Sequence, residues 1–185
     1  MKELSLNILD IAENSVKAKA TLTEIEIDES DTELTITIRD DGCGMSEDTL
    51  KAVTNPFYTT RTTRSVGLGI PLLKMSAEQT GGEVNITSKK ADEKNSAHGT
   101  TVVARYNKNH IDFTPLGDVI STVTTLIQGH PKTDFRFCHR KDGKEVTLET
   151  KALREILEDV PLDSYDVIKW IEAYLREQYE DTKIN

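Results

Sequence analysis

The sequence predicts an α/β two-layer sandwich, in which helices cover one face of a mixed, mainly antiparallel sheet. Near the N-terminus, apolar residues recur at helical spacing. Two segments that alternate apolar and polar residues come next, and a second helical pattern is then followed by two more strand patterns. Two hairpin-like strand pairs, each preceded by an amphipathic helix, favour a sheet that packs its helices on one side.

The first helix is predicted over residues 4–18, because its apolar and polar residues separate onto two sides. The same helix therefore has a core-facing stripe and a stripe of side chains with oxygen and nitrogen atoms. The apolar side holds Leu4, Ile8, Ile11, Ala12 and Ser15, and the polar side holds Asn7, Asp10, Asn14 and Lys17.

The remaining elements of the first part follow from alternation, helical spacing and turn residues. Asp31 marks the turn of a hairpin, and the pair Gly81-Gly82 ends the second long helix. The predicted strands are 21–28, 33–39, 83–88 and 100–106, and the predicted helices are 46–53 and 69–81.

A domain boundary is predicted at residues 107–114, which separates an N-terminal domain (1–108) from a small C-terminal α+β appendage (109–185). Thr114-Pro115 is typical of a helix N-cap and first turn, and Asp142-Gly143 is typical of a hairpin turn. The appendage is therefore expected to run helix, hairpin, helix, helix, with strands over 134–139 and 145–149 and the last two helices over 151–158 and 164–179. No motif assigns it a role.

Composition excludes several classes of protein. With 36% hydrophobic and 30% charged residues, the chain is expected to be a soluble globular protein, and its apolar runs are too short to cross a membrane. A net charge of −9 argues against nucleic acid as the main partner. Two cysteines without metal-like spacing, together with an N-terminus that lacks a signal-peptide core, favour a cytoplasmic setting.

Acidic residues are absent from residues 49–77, although the chain as a whole is acidic. The same window contains Lys51, Arg61, Arg64 and Lys74. A local excess of cations in an acidic protein suits a polyphosphate ligand.

Three separated motifs carry the functional signal. They are Asp10-Ile-Ala-Glu-Asn14, then Asp40-Asp-Gly42-Cys-Gly44, and then Gly67-Leu68-Gly69-Ile70 followed by His98-Gly-Thr100. In this order they resemble the ATP-binding domain that gyrase, Hsp90-type chaperones, histidine kinases and MutL share. Asn55-Pro-Phe-Tyr-Thr-Thr-Arg61 makes the catalytic ATP-binding domain of histidine kinases the nearest likeness.

The resemblance implies an ATP site with Mg²⁺, and the residues suit this chemistry. Asn14 is expected to bind the metal, and Asp10, four residues earlier on the same helix face, to polarise an attacking water. Lys17 matches the lysine that follows the asparagine by three in histidine kinases. Asp40 is expected to accept a hydrogen bond from the adenine amine, with Gly42 and Gly44 letting the base approach the backbone.

The phosphates are expected to lie under a lid over residues 55–66. Gly67, Leu68 and Gly69 would open a helix whose free N–H groups face phosphate oxygens, and Arg61 and Arg64 would add charge. Thr100 would share the adenine contact of Asp40. We expect the lid to become ordered when ATP binds.

These features predict Mg-dependent ATP binding and phosphoryl transfer to an unidentified partner protein, of the histidine-kinase or anti-sigma-kinase type. The resemblance covers about residues 1–108 and lacks the domain that carries the phosphoacceptor histidine. ATPase branches usually have Glu where this chain has Asp10, so hydrolysis and transfer both stay open. The alternatives are a slow ATPase switch that controls dimerisation or a partner, and a non-catalytic binding module that docks through its tail.

Overall fold

A computed structural model describes residues 3–54, 69–91 and 97–184 of the 185-residue chain. These ranges contain six helices and six strands, and the strands follow one another in pairs along the sequence. The helices are α1 (Leu4–Lys17), α2 (Glu47–Thr54), α3 (Gly69–Glu78), α4 (Val119–Gly129), α5 (Thr150–Leu157) and α6 (Tyr165–Thr182). The strands are β1 (Leu22–Glu29), β2 (Glu33–Asp40), β3 (Glu83–Lys89), β4 (Gly99–Asn107), β5 (Asp134–Lys141) and β6 (Lys144–Glu149).

The strands form one mixed sheet in the order β3-β4-β2-β1-β5-β6. Neighbouring strands are antiparallel except for β1 and β5, which run parallel, with Leu22 opposite Asp134. This arrangement confirms the predicted fold class, a mixed and mainly antiparallel sheet covered by helices.

Alternation along the central strands gives the sheet one apolar face. In β1 and β2, Ile25, Ile27, Ile36 and Ile38 are buried, while the residues between them are at least partly exposed. Successive strand side chains point to opposite faces, so the buried set packs against the helices. One continuous core contains side chains from α1, α3, α4 and α6 together with these strands.

The start of α4 differs from the prediction. The helix begins at Val119, and Asp118 caps it by accepting a 2.9 Å hydrogen bond from the Ser121 N–H. The carbonyls of Pro115 and Leu116 instead accept hydrogen bonds of 3.0 and 2.7 Å from the first N–H groups of α1. These donors have no partner inside their own helix, and their bonds hold residues 115–116 in a loop before α4.

The segment after residue 108 joins the sheet and core of the first part. β5 pairs with β1, and α4 packs against α1. At the far edge of the sheet, the Gln178 side chain donates to the Thr147 carbonyl at 2.9 Å and accepts from the Thr147 N–H at 3.0 Å. The division of the chain at residue 108 stays a prediction, and its two parts share one sheet.

Across the described parts of the chain, no helix combines the length and the apolar character that crossing a membrane requires.

Candidate functional site

A cavity of about 380 Å³ lies between α1 and the ends of β2 and β4. Apolar side chains form much of its wall, and polar groups converge from α1, the end of β2 and the start of β4, as in many small-molecule sites. The apolar side chains are those of Ile11, Ile38, Met45, Val53, Ile70 and Val102, and the polar ones are those of Asn14, Ser15, Lys17, Asp40, Thr49 and Thr100.

Asp40, the last residue of β2, is the most constrained polar group of this cavity. Its Oδ1 accepts hydrogen bonds from the N–H groups of Gly42 at 2.9 Å and Thr100 at 3.2 Å. Its Oδ2 accepts a 2.8 Å hydrogen bond from the Ser15 hydroxyl. A carboxylate has about four lone-pair sites, so these contacts fix its orientation and leave capacity for one further donor from a ligand.

The turn after β2 is locked to the neighbouring segments by backbone contacts. The Cys43 N–H donates to the Ala18 carbonyl at 2.9 Å, and the Ala91 N–H donates to the Cys43 carbonyl at 2.8 Å. The His98 Nδ1 lies 2.7 Å from the Gly42 carbonyl, a distance that suits an Nδ1–H donor. His98 is thus a loop residue that supports the turn, and it does not line the cavity.

Two glycines allow the close approach of chain segments around Asp40. Gly44 has a φ of +63°, and a Cβ there would lie 2.0 Å from the Lys89 carbonyl oxygen. A Cβ on Gly42 would lie 2.8 Å from the Ala18 Cβ and 3.0 Å from the Asp40 Oδ1. The Gly-x-Gly spacing is therefore required by packing within the protein, before any ligand is considered.

The adjacent Asp41 faces the other way and has a structural role. Its Oδ1 accepts hydrogen bonds from the Thr21 N–H at 2.7 Å and the Leu22 N–H at 2.9 Å, and its Oδ2 contacts the Thr21 hydroxyl. Partial burial alone would raise the pKa of Asp41, but these hydrogen bonds outweigh it and lower the pKa. Asp41 therefore fastens the start of β1, while Asp40 faces the cavity.

The predicted polar face of α1 is only partly inside the cavity. Asn14 and Lys17 line it, whereas Asp10 is exposed and is not one of the lining residues. Gly69, the first residue of α3, lies directly against this face, since a Cβ there would be 3.1 Å from the Asp10 Cβ and 3.9 Å from the Asn14 Nδ2. The start of α3 is thus beside both of these polar side chains.

Four predicted site residues, Arg61, Arg64, Gly67 and Leu68, lie outside the described residues, as does the predicted lid over residues 55–66. Within the described ranges there is no cluster of three or more His, Cys, Asp or Glu side chains that would hold a metal ion by themselves. The carboxamide of Asn14 and the carboxylate of Asp10 offer few oxygen atoms, which fits Mg²⁺ because this ion keeps several waters and binds phosphates.

Sequence reasoning missed two contributors to the site. Ser15 lies on the apolar side of α1, and a hydroxyl among core positions is the signal that could have identified it as a partner of Asp40. Ser88 accepts a 2.8 Å hydrogen bond from the Met45 N–H and lies 2.9 Å from the Thr100 hydroxyl. Nothing in the local sequence around Ser88 predicts this contact, because the strand pairing of β3 with β4 creates it.

Residues 2–110 match the protein family described as "Histidine kinase-, DNA gyrase B-, and HSP90-like ATPase". Two curated relatives are the sensor histidine kinase ZraS of Salmonella typhi, 32% identical over 89 residues, and the histidine-protein kinase AtoS of Escherichia coli K12, 30% identical over 88 residues. Each match covers 48% of this chain, but only 19% of ZraS and 14% of AtoS.

The fold is similar to a solved structure of the Aquifex aeolicus MutL ATPase domain complexed with ADP. The TM-score is 0.54 at 16% identity, and the alignment covers 85% of this chain and 70% of the MutL domain. The N-terminal domain of a DNA repair protein gives a TM-score of 0.52 at 17% identity, over 80% of this chain and 53% of that one. Both alignments extend beyond residue 110 and support the assignment of the fold.

Proposed function

We propose that this chain, which belongs to the histidine kinase-, DNA gyrase B- and HSP90-like ATPase family, uses its ATP-binding domain with Mg²⁺ to transfer a phosphoryl group to a partner protein. The oriented carboxylate of Asp40 is the observation that carries the proposal. Its remaining acceptor capacity matches the exocyclic amine of adenine, whereas guanine offers a carbonyl oxygen at the equivalent ring position. An acceptor facing that oxygen would be left without a donor.

In this proposal the phosphates extend from the adenine cavity toward the start of α3. There the free N–H groups of the helix would bind phosphate oxygens. Lys17, which lines the cavity, would add a positive charge. Asn14, between the cavity and Gly69, would hold the metal ion, which supplies neutralisation of phosphate charge when it is bound.

Transfer is favoured over hydrolysis by the chemistry that each reaction asks of the protein. Phosphoryl transfer depends mainly on positioning and on electrostatic stabilisation, and the acceptor brings its own nucleophile. Hydrolysis needs a base within hydrogen-bond reach of a water. Asp10 is exposed, lies outside the cavity lining and has a shorter side chain than the Glu of the ATPases it resembles.

The first experiment separates binding from transfer. Proteins that co-purify with the chain from its native cell are incubated with γ-labelled ATP and either the wild-type chain or Asn14→Ala. We expect label on a co-purified protein with the wild type only, while Asn14→Ala retains much of its adenine affinity. Asp31→Ala, in the exposed turn between β1 and β2, is the control that should label as the wild type does. Equal labelling by wild type and Asn14→Ala would contradict the proposal.

A slow ATPase switch is the second candidate, and the contact between Asp10 and the start of α3 favours it. A carboxylate at this position lies next to the segment where the terminal phosphate is expected. In that case the purified chain would release free phosphate from ATP without a partner, and Asp10→Ala would stop the release while sparing ATP affinity. If the chain neither labels a partner nor releases phosphate, the remaining interpretation is a non-catalytic binding module.

A further inference from the structure

The last two helices and the loop between them carry a concentration of exposed apolar side chains. Within the described parts of the chain, eight large apolar side chains are exposed, and five of them belong to residues 156–174. These five are Ile156, Val160, Tyr165, Trp170 and Tyr174. Single exposed apolar residues are ordinary on protein surfaces, but a concentration of them indicates a surface that binds something.

Two of the aromatic residues form one wall of a groove of about 550 Å³. Trp170 and Tyr174, one turn apart on α6, are stacked with ring centroids 5.0 Å apart and planes 9° from parallel. Leu153 and Ile156 of α5 also line the groove. Stacked rings lose little conformational freedom on binding, and Trp and Tyr are the side chains most enriched at the energetic centres of interfaces.

The cations of the groove already have anionic partners. Arg136 pairs with Glu24 and, at 3.3 Å, with Glu26, and Arg140 pairs with Glu26 at 3.4 Å and with Asp28 at 3.3 Å. Of these side chains, Arg136, Arg140 and Glu26 line the groove. The floor of the groove therefore offers little uncompensated positive charge to a ligand.

Glu145 and Glu149 of the groove lining and the two helices beside the groove together form an acidic rim. Residues 150–182, which contain both helices, have nine acidic and four basic side chains. Three of the four cations are engaged within the protein, because Lys169 and Arg176 both pair with Glu172, and Arg154 pairs with Asp134. A partner that buries the aromatic wall thus meets a negative surrounding potential.

We propose that this groove binds a basic amphipathic helix of a partner protein, whose apolar side chains contact Trp170 and Ile156 and whose lysines or arginines face the acidic rim. A second copy of this chain would bring two acidic rims together, which like-charge repulsion disfavours. Addition of a strand at the nearby edge is opposed by Gln178, which already occupies the N–H and the carbonyl of Thr147. The inference goes beyond the proposed transfer activity, since the groove shares no lining residue with the nucleotide cavity.

The chain contains its own reporter, because Trp170 is its single tryptophan. Its fluorescence is followed while the full chain is titrated with a synthetic leucine–lysine amphipathic helix, or with a leucine–glutamate helix of the same length and apolar face. We expect the basic peptide to bind at least about tenfold more tightly than the acidic one, with an affinity that falls as salt is added. The ATP affinity of the same protein is measured in parallel, so that a failure of peptide binding can be distinguished from a failure of the proposed function.

Two variants decide whether binding occurs in the groove. Ile156→Ser, at a side chain that is 78% exposed, should weaken the basic peptide about tenfold or more. Ile111→Ser, at a side chain that is 95% exposed and outside the groove, should not change it. Trp170→Ala, followed through a label on the peptide, should weaken binding as strongly as Ile156→Ser.

Three results would overturn the proposal. The first is equal affinity for the basic and the acidic peptide. The second is an unchanged affinity of Ile156→Ser for the basic peptide. The third is a dimer of the chain, detected by sedimentation, that Ile156→Ser dissociates, because the occupant of the groove would then be a second copy.

Discussion

The Ser15 hydroxyl donates a 2.8 Å hydrogen bond to the Asp40 carboxylate, and thereby joins the last turn of α1 to the end of β2. Ser15 is only 3% exposed. A bond to a charged group at such a depth is stronger than one at the surface. The orientation of Asp40 therefore depends on α1 as much as on the turn that follows β2.

We predict that Asp40→Asn weakens ATP binding by about 1–3 kcal/mol, or roughly 5- to 150-fold, because an amide group that donates would replace an oxygen that accepts. Ser15→Ala should weaken it less, by about 0.5–1.5 kcal/mol, because the carboxylate stays but loses one of its fixed donors. Calorimetric titration with ATP measures both.

Asp41→Asn is the matched control for Asp40→Asn, since it changes the same chemical group one residue away. Asp41 bonds to Thr21 and Leu22 and does not line the cavity. This variant should lower the free energy of unfolding and keep ATP affinity in the folded fraction. If Asp40→Asn and Asp41→Asn affect ATP affinity alike, the assignment of Asp40 is wrong.

Gly44→Ala should destabilise the fold more than Gly143→Ala. Both glycines have positive φ, +63° and +74°, so an alanine at either position costs about 1–2 kcal/mol in backbone strain. Only at Gly44 would the new Cβ also meet backbone, 2.0 Å from the Lys89 carbonyl oxygen, whereas at Gly143 it meets nothing within 4 Å. Urea unfolding compares the two, and equal losses would contradict the predicted clash.

Stability should begin to fall with acidification at about pH 6.5 because of His139. Burial lowers the pKa of His139 despite its 3.1 Å contact with Glu29. Below about pH 6.5 the unfolded histidine takes up a proton that the folded one refuses, so the free energy of unfolding decreases as pH falls through this value.

A second decrease should follow at lower pH, because the pKa of Glu29 is also lowered in the folded protein. Burial opposes its charge, but hydrogen bonds and attraction from Lys108 and Lys141 lower the pKa of Glu29, so its contribution is lost only below about pH 4.5.

Urea unfolding of wild type and His139→Gln between about pH 7.5 and pH 5 isolates the first decrease, which is due to His139. An unchanged slope in His139→Gln would contradict the assignment.

Gln178→Leu should open the edge of the sheet. The substitution keeps an apolar stem but removes the partners of the Thr147 N–H and carbonyl, at a cost of about 1–3 kcal/mol if they stay shielded from water. If water reaches them, β6 becomes an edge open to other chains. Light scattering should then reveal self-association that Glu177→Ala, at the exposed neighbouring position, does not cause. Monomeric behaviour and full stability of Gln178→Leu would refute this role.

Local patterns predicted the elements well where the determining contacts are local. The alternation that predicts β1 and β2 depends only on neighbouring residues and one turn. No observed end of these two strands differs from the predicted end by more than one residue. The predicted start of α4 was wrong because Thr114-Pro115 begins a helix only when the carbonyls of the first turn are free to accept hydrogen bonds within that helix. Here the carbonyl of Pro115 accepts a hydrogen bond from the N–H of Leu4, which is 111 residues earlier in the sequence.

The candidate site divides in the same way. Asp40, Gly44, Asn14, Lys17 and Thr100 were predicted from motifs, and all of them line one cavity. The exposure of Asp10 and the bond from Ser15 to Asp40 were not predictable, because both depend on how α1 rests on the sheet.

The parallel pairing of β1 with β5 has a consequence for synthesis of the chain on the ribosome. β1 and the strands that follow it up to residue 107 emerge first, but the partner of β1 on its other side begins only at Asp134. At about 5–20 residues per second, β1 waits roughly 5 to 20 s with one row of backbone groups unpaired. A nascent chain halted just after residue 110, where the family match ends, would keep that row exposed and become a substrate for chaperones.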